Sequence, residues 1–145
     1  MDLSTHRAAQ APDQKDARLA VCSYGLPFPV IVAGHHPIYA ETSKSDSERI
    51  DMQARLDPVL QKHKVDMYIC GHIHNFQHIR VPGSNIDYVT NSAGSLARKV
   101  KPIEGTVFCS SDPGFSIVTV SSEKLELRMI DKKGNVLHTV TRQRK

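Results

Sequence analysis

Two segments of this chain share one design, and that design limits the fold more than any other feature. Val30-Ile31-Val32-Ala33 is a continuous apolar run that ends in Gly34-His35-His36-Pro37. Val65 to Cys70 repeats the plan and ends in Gly71-His72-Ile73-His74-Asn75. Short apolar runs without alternation suit strands buried on both faces, as in a parallel sheet. Pro37 lacks an N–H and biases His36 away from the helical region, so the chain leaves the first strand in a loop. Glycine at each corner permits a sharp turn and a close backbone approach.

The segment between the corners predicts a helix over 47–63. Ile50, Ala54, Val59 and Leu60 recur near helical spacing, with Glu48, Arg49, Asp51, Gln53 and Arg55 outside. Ser45 or Ser47 is placed to cap it, and Pro58 to kink or restart it. Lys62, His63 and Lys64 fall where the helix dipole favours positive charge. A strand–helix–strand unit makes the two strands parallel neighbours, and ligands of open α/β sheets bind beyond the carboxyl ends of such strands. Both corners then open onto one crevice. His72 and His74 lie two apart, which on extended chain turns both to one face.

After the second corner the pattern changes. The stretches 78–81, 86–90, 115–120, 124–130 and 136–141 read as strands. Pro82-Gly83-Ser84-Asn85 and Lys132-Lys133-Gly134-Asn135 are the turns between successive pairs. Gly94 to Pro113 reads as a long irregular connection. Residues 1 to about 20 are polar and weakly patterned, so a short helix over 13–20 and disorder both fit them.

Neutral imidazole is the commonest nitrogen ligand for zinc, iron, manganese or copper. Histidines converging from two strand ends are therefore a metal-site signal. The other polar groups carry less. Asp66 precedes its strand, at the end away from the corners, and Asp87 reads as a turn or strand-edge residue. Ser110 and Ser111 have no evident base. His63 reads as a helix-end partner, His78 as a cleft or strand-face residue, and His6 and His138 as surface. Cys22, Cys70 and Cys109 show no CxxC spacing and make no cysteine zinc site; Cys70 reads as core.

The formal net charge is +4, but the Lys and Arg residues are scattered and no basic stripe with interleaved aromatics appears. Nucleic acid is not an expected partner. No run approaches the roughly 18 apolar residues of a membrane span, and no basic flank precedes an apolar core at the amino end. Neither a membrane nor a secretion signal is expected from these residues.

The two corner segments, Val30 to Tyr39 and Val65 to His78, resemble the last two ligand blocks of the calcineurin-like metallophosphoesterases. Within that superfamily they are most similar to the small purple acid phosphatases of the tartrate-resistant type. The stretch Thr90-Asn91-Ser92-Ala93-Gly94-Ser95 resembles the small-residue loop that follows in those enzymes, and the similarity runs from about Val30 to Thr141. It implies the C-terminal half of a four-layer α/β/β/α sandwich with a mixed sheet. The 30–145 region would be a partial phosphoesterase domain, and 1–29 a poorly ordered or atypical segment.

The resemblance makes His35 and His72 ligands of one metal and His74 a ligand of the other. His36, beside the ligands, becomes the candidate catalytic side chain, and Asn75 the support of the second turn. It implies a dinuclear centre of iron with zinc, manganese or a second iron, acting on a phosphate monoester. Full-length relatives of this type are often secreted. The family also places GDxH, GDxxxD/Y and GNHD/E blocks before the histidines, and these supply the carboxylate, asparagine and tyrosine ligands. None of these blocks occurs in the 145 residues. The histidine that small purple phosphatases place after GHxP is also missing from 40–46. Three histidines do not hold two hard cations without a bridging carboxylate. The expectation is phosphoesterase ancestry with an incomplete site, and the alternative is a non-catalytic metal-binding or interaction module. A half-sheet also exposes strand edges, which favours self-association.

Overall fold

The computed structural model describes residues 29–43 and 46–143. The readings made for residues 1–28, including Cys22 and His6, and for Ser45 fall outside them. Among the described residues, eight strands and two helices form three layers. In chain order they are β1 (Ile31–Ala33), α1 (Ser47–Arg55), α2 (Asp57–Lys62), β2 (Met67–Cys70), β3 (Phe76–Ile79), β4 (Asp87–Thr90), β5 (Thr106–Ser110), β6 (Gly114–Val120), β7 (Lys124–Asp131) and β8 (Val136–Gln143).

The first five strands make a mixed sheet in the order β1-β2-β4-β3-β5. β1, β2 and β4 run parallel, while β3 runs antiparallel to both β4 and β5. The last three form an antiparallel meander, β6-β7-β8. The mixed sheet carries apolar residues on both faces, which is why its strands read as continuous apolar runs. In β2, Tyr68 and Cys70 face the helices, in a cluster with Ile38, Leu60, Ile86 and Tyr88. Met67 and half-buried Ile69 face the other way, against Leu125, Leu127, Met129 and Val140 of the second sheet. Alternation along β7 produces that inner face: its buried leucines and methionine alternate with Glu126 and Arg128.

The helix prediction holds with a break. Pro58 ends nothing by itself; it sits in the first turn of α2, where its missing N–H costs no hydrogen bond, and Leu56 is the joint between the two helices. Asp46 occupies the N-cap of α1, without a side-chain capping bond. Tyr88 fastens α2 to the sheet: its hydroxyl donates to Asp57 Oδ1, and Tyr39 donates to the other oxygen at 3.2 Å. Burial and the neighbouring Asp57 carboxylate push the Tyr88 hydroxyl's pKa up. Tyr88→Phe should therefore cost about 1–2 kcal/mol in denaturant unfolding, since a part-buried bond to a carboxylate is lost and little volume changes.

Four expectations are corrected. β1 is an edge strand and only half-buried, with Ala33 exposed, because nothing pairs beyond it among the described residues. The connection 94–113 contains a strand, β5, whose order comes from pairing with distant β3 rather than from its own five residues. Asp87 is neither turn nor edge: it is fully buried in a central strand. His138 is half-buried, stacked on Phe108 with ring centroids 4.6 Å apart. His78 is a buried strand residue between the two sheets, with Asp87 2.8 Å from Nε2 and His138 2.9 Å from Nδ1.

Candidate metal centre

The parallel alignment of β1, β2 and β4 brings three loops to one end of the sheet. Gly34–His36 leaves β1, Gly71–Asn75 leaves β2, and Asn91–Ser95 leaves β4. Backbone bonds tie them together: Gly34 N–H donates to Ile69 O at 2.9 Å, Gly71 N–H to His35 O at 3.2 Å, and Asn91 N–H to Cys70 O at 2.7 Å. The buried Tyr68 side chain reaches forward from β2, and its hydroxyl donates to His36 O at 2.8 Å. Burial pushes that hydroxyl up to about 12, so it stays a donor. The histidine corners thus rest on the sheet itself.

At this end His35, His36 and His72 come together. Each offers a ring nitrogen, and those atoms all lie within 4.8 Å of one another. His35 Nε2 and His72 Nδ1 are 2.9 Å apart. The rings meet edge to face, with centroids 4.4–4.8 Å apart. His36 Nε2 also stands 3.4 Å from Glu48 Oε2 of α1.

The chain around His72 and His74 is not extended, contrary to the expectation. Both take positive φ, 67° and 60°, and Ile73 N–H closes a tight turn onto Gly71 O at 2.8 Å. Left-handed backbone is unfavourable for residues other than glycine and is retained where surroundings enforce it, often at functional sites. The coil buries Ile73 between the two histidines and separates them. His74 accordingly lies outside the three-histidine group. Its Nδ1 is buried and has no hydrogen-bond partner. An unpaired buried imidazole nitrogen is costly unless something accepts its lone pair or proton, and a metal ligand is one such role.

Asn75 follows, buried, and accepts from Gln77 Nε2 at 2.8 Å. Gln77 then makes a reciprocal pair with the Glu41 backbone, receiving from N–H and giving to O, both at 2.8 Å. Gln77 is the positioning residue that the sequence reading missed. It joins the loop after the first histidine corner to the strand after the second. No signal in the sequence marked it, because its burial comes only with the fold.

Apart from Glu48, the acids weighed from the sequence lie elsewhere. Asp66 and Asp87 stand at the amino ends of β2 and β4, the opposite edge of the sheet, where Asp66 Oδ2 accepts from Val30 N–H at 2.9 Å. Ser110 and Asp112 reach the histidine end, but the serine hydroxyl and the Asp112 carboxylate bond to each other at 2.6 Å in a local turn. Cys70 is core, its thiol pushed up to about 11 by burial. The arrangement therefore presents imidazoles able to bind transition metals, which fits the nitrogen side of a metal centre.

Known proteins resemble the part of the chain that carries these corners. A family model described as calcineurin-like phosphoesterase matches residues 25–76, the span that holds both histidine corners. Purple acid phosphatase 3 of Arabidopsis thaliana is 37% identical over 114 residues, 74% of this chain and 30% of its own. The solved structure titled GAP50, the anchor in the inner membrane complex of Plasmodium, superposes with a TM-score of 0.70 at 28% identity, over 81% of this chain and 37% of that one. Purple acid phosphatase PPD1 from yellow lupin (Lupinus luteus) superposes with a TM-score of 0.59 at 18% identity, covering 81% of this chain and 25% of that one, a likeness of fold alone. This chain thus spans about a third of the length of the relatives it matches. The fold is that of the metallophosphoesterases, and the sequence relationship is to their purple acid phosphatase branch.

Proposed function

We propose that this chain, a C-terminal portion of a calcineurin-like phosphoesterase domain, supplies the histidine side of a two-metal site for hydrolysing phosphate monoesters. The supporting observation is the meeting of His35 and His72 at the ends of adjacent parallel strands, with His74 held nearby in left-handed backbone and its Nδ1 unpaired. His35 and His72 would hold one metal and His74 the other, in the family's pattern of iron with zinc, manganese or iron. Bound metals would lower the pKa of a water and stabilise the oxygens displaced at phosphorus. The chain's own residues orient and protect. Tyr68 and Gln77 fix the two loops, and His36, half-buried beside the ligands, can carry a proton near a leaving group. The carboxylate ligands must come from outside the described residues.

The test is metal content and p-nitrophenyl phosphate turnover of the natural polypeptide loaded with iron and zinc. Two metals per chain with turnover, both lost in His72→Ala, support the hydrolase. Metal without turnover supports a second reading, a non-catalytic module. That reading is favoured by the likeness to the Plasmodium protein, whose title describes an anchor rather than an enzyme.

A further inference from the structure

We infer that the 145-residue chain forms a one-metal zinc site of its own, with His35, His36 and His72 as nitrogen ligands and Glu48 as the oxygen ligand. The inference uses the histidine corners of the proposed hydrolase but does not depend on hydrolysis. Two of its four groups, His36 and Glu48, have no ligand role in that proposal.

The geometry comes first. Zinc prefers four ligands in a tetrahedron with Zn–N of about 2.0–2.1 Å, which puts ligand atoms about 3.3–3.4 Å apart. The His35 and His72 nitrogens are 2.9 Å apart, and His36 Nε2 is 3.4 Å from Glu48 Oε2. All three imidazole ligand atoms lie within 4.8 Å. Glu48 lies outside that group and reaches it through His36 alone, so its exposed side chain must swing toward the three imidazoles, while the backbone at both corners is held by the sheet. Preorganised backbone with adjustable rings is what a metal site requires.

The donor chemistry agrees. Three neutral imidazoles and one carboxylate suit a borderline-soft divalent ion, and one negative ligand leaves a single net positive charge. The four groups come from three elements: the loop after β1, the loop after β2, and the first turn of α1. Zinc would therefore clasp α1 to the sheet edge at β1, where the fold is least enclosed.

Titration of the purified, metal-free chain with zinc by isothermal calorimetry tests this, with cobalt as a spectroscopic substitute. One zinc per chain is expected, with the intense visible bands of tetrahedral cobalt. His36→Ala should weaken zinc by about a hundredfold and Glu48→Gln by about tenfold. Both side chains are substantially solvent-accessible, 38% and 61%, so metal-free far-UV circular dichroism should be unchanged. Zinc should raise the melting temperature of the wild type and not of His36→Ala. No zinc binding would overturn the inference, as would His36→Ala and Glu48→Gln variants that bind like the wild type. Two metals per chain with turnover, and metal affinity unchanged in Glu48→Gln and His36→Ala, would sink it while leaving the hydrolase standing. One zinc without turnover would do the reverse.

Discussion

Replacing Asp87 with alanine is expected to destabilise the protein by about 3–5 kcal/mol in urea or guanidinium unfolding, the cost of removing one partner from a buried charge network. The carboxylate is fully buried and takes bonds on both oxygens. His78 Nε2 and Arg80 Nε donate to Oδ1 at 2.8 and 2.7 Å, and Arg142 donates to Oδ2. Arg142 also donates to Asn85 O. These partners come from β3, β8 and the chain beside them, so the network joins the two sheets. Loss of the carboxylate leaves His78 and the guanidinium groups with unmet donors.

The same residue sets a pH dependence. Burial alone would raise the Asp87 pKa, but the His78 and Arg80 hydrogen bonds and the charges of Arg142 and His78 outweigh it and hold the carboxyl at about 2, against an ordinary 3.8. A lowered folded-state pKa means that the ionised group stabilises the fold above 3.8, and that this share is lost as pH falls toward 2. The stability gap between wild type and Asp87→Ala should therefore be constant near neutrality and narrow below pH 3.8. A gap that stayed constant down to pH 2, or that never exceeded about 1 kcal/mol, would show that the network is not coupled to the fold.

Gly34→Ala should be almost as damaging, and it acts on the site as well. A Cβ at Gly34 would lie 2.1 Å from the Tyr68 hydroxyl oxygen and 3.0 Å from its ring carbon. Tyr68 is fully buried and cannot swing clear. The ring must move within a packed core or the corner must lift, at about 1–3 kcal/mol. Either response breaks the bond from Tyr68 to His36 O and releases the first histidine loop. The expected pattern is a lower melting temperature with zinc affinity reduced by at least about tenfold. Tyr68→Phe, which keeps the ring and removes the hydroxyl, should lose less stability. A Gly34→Ala variant with wild-type metal affinity would mean that the glycine serves the strand and not the site.

Much of this was legible in the residues. The apolar run, glycine and histidine at each corner required strands that end in turns, and the helix-period stretch between them required a parallel pair. Proximity of His35 to His72 follows from those local rules. The short-range turns were equally readable: Gly83 and Gly134 take φ of 81° and 89° in the two predicted turns. β5 was not readable, because Thr106–Ser110 is too short to show a period, and its stability comes from pairing with a strand about thirty residues earlier.

The side chains that sit between layers were the hardest. Asp87, two residues after the Pro82–Asn85 turn, reads as a turn or strand-edge residue. Only the insertion of β4 between β2 and β3, with the second sheet folded over it, surrounds the carboxylate with Arg80, Arg142 and His78. The same holds for His138, which lies on an exposed-looking strand until Phe108 stacks on it. His74 shows the limit from the other side. Spacing alone put it on one face with His72, but left-handed backbone at His72 and again at His74 turned the chain and set it apart.

By itself the sequence determined which residue types stand at the strand ends, and therefore that imidazoles gather beyond a parallel sheet, because that outcome depends only on local geometry and right-handed crossover. The tertiary structure decided which of them share a site, and which charges are buried, since ring-to-ring distance and burial depend on loop coiling and on how one sheet covers the other.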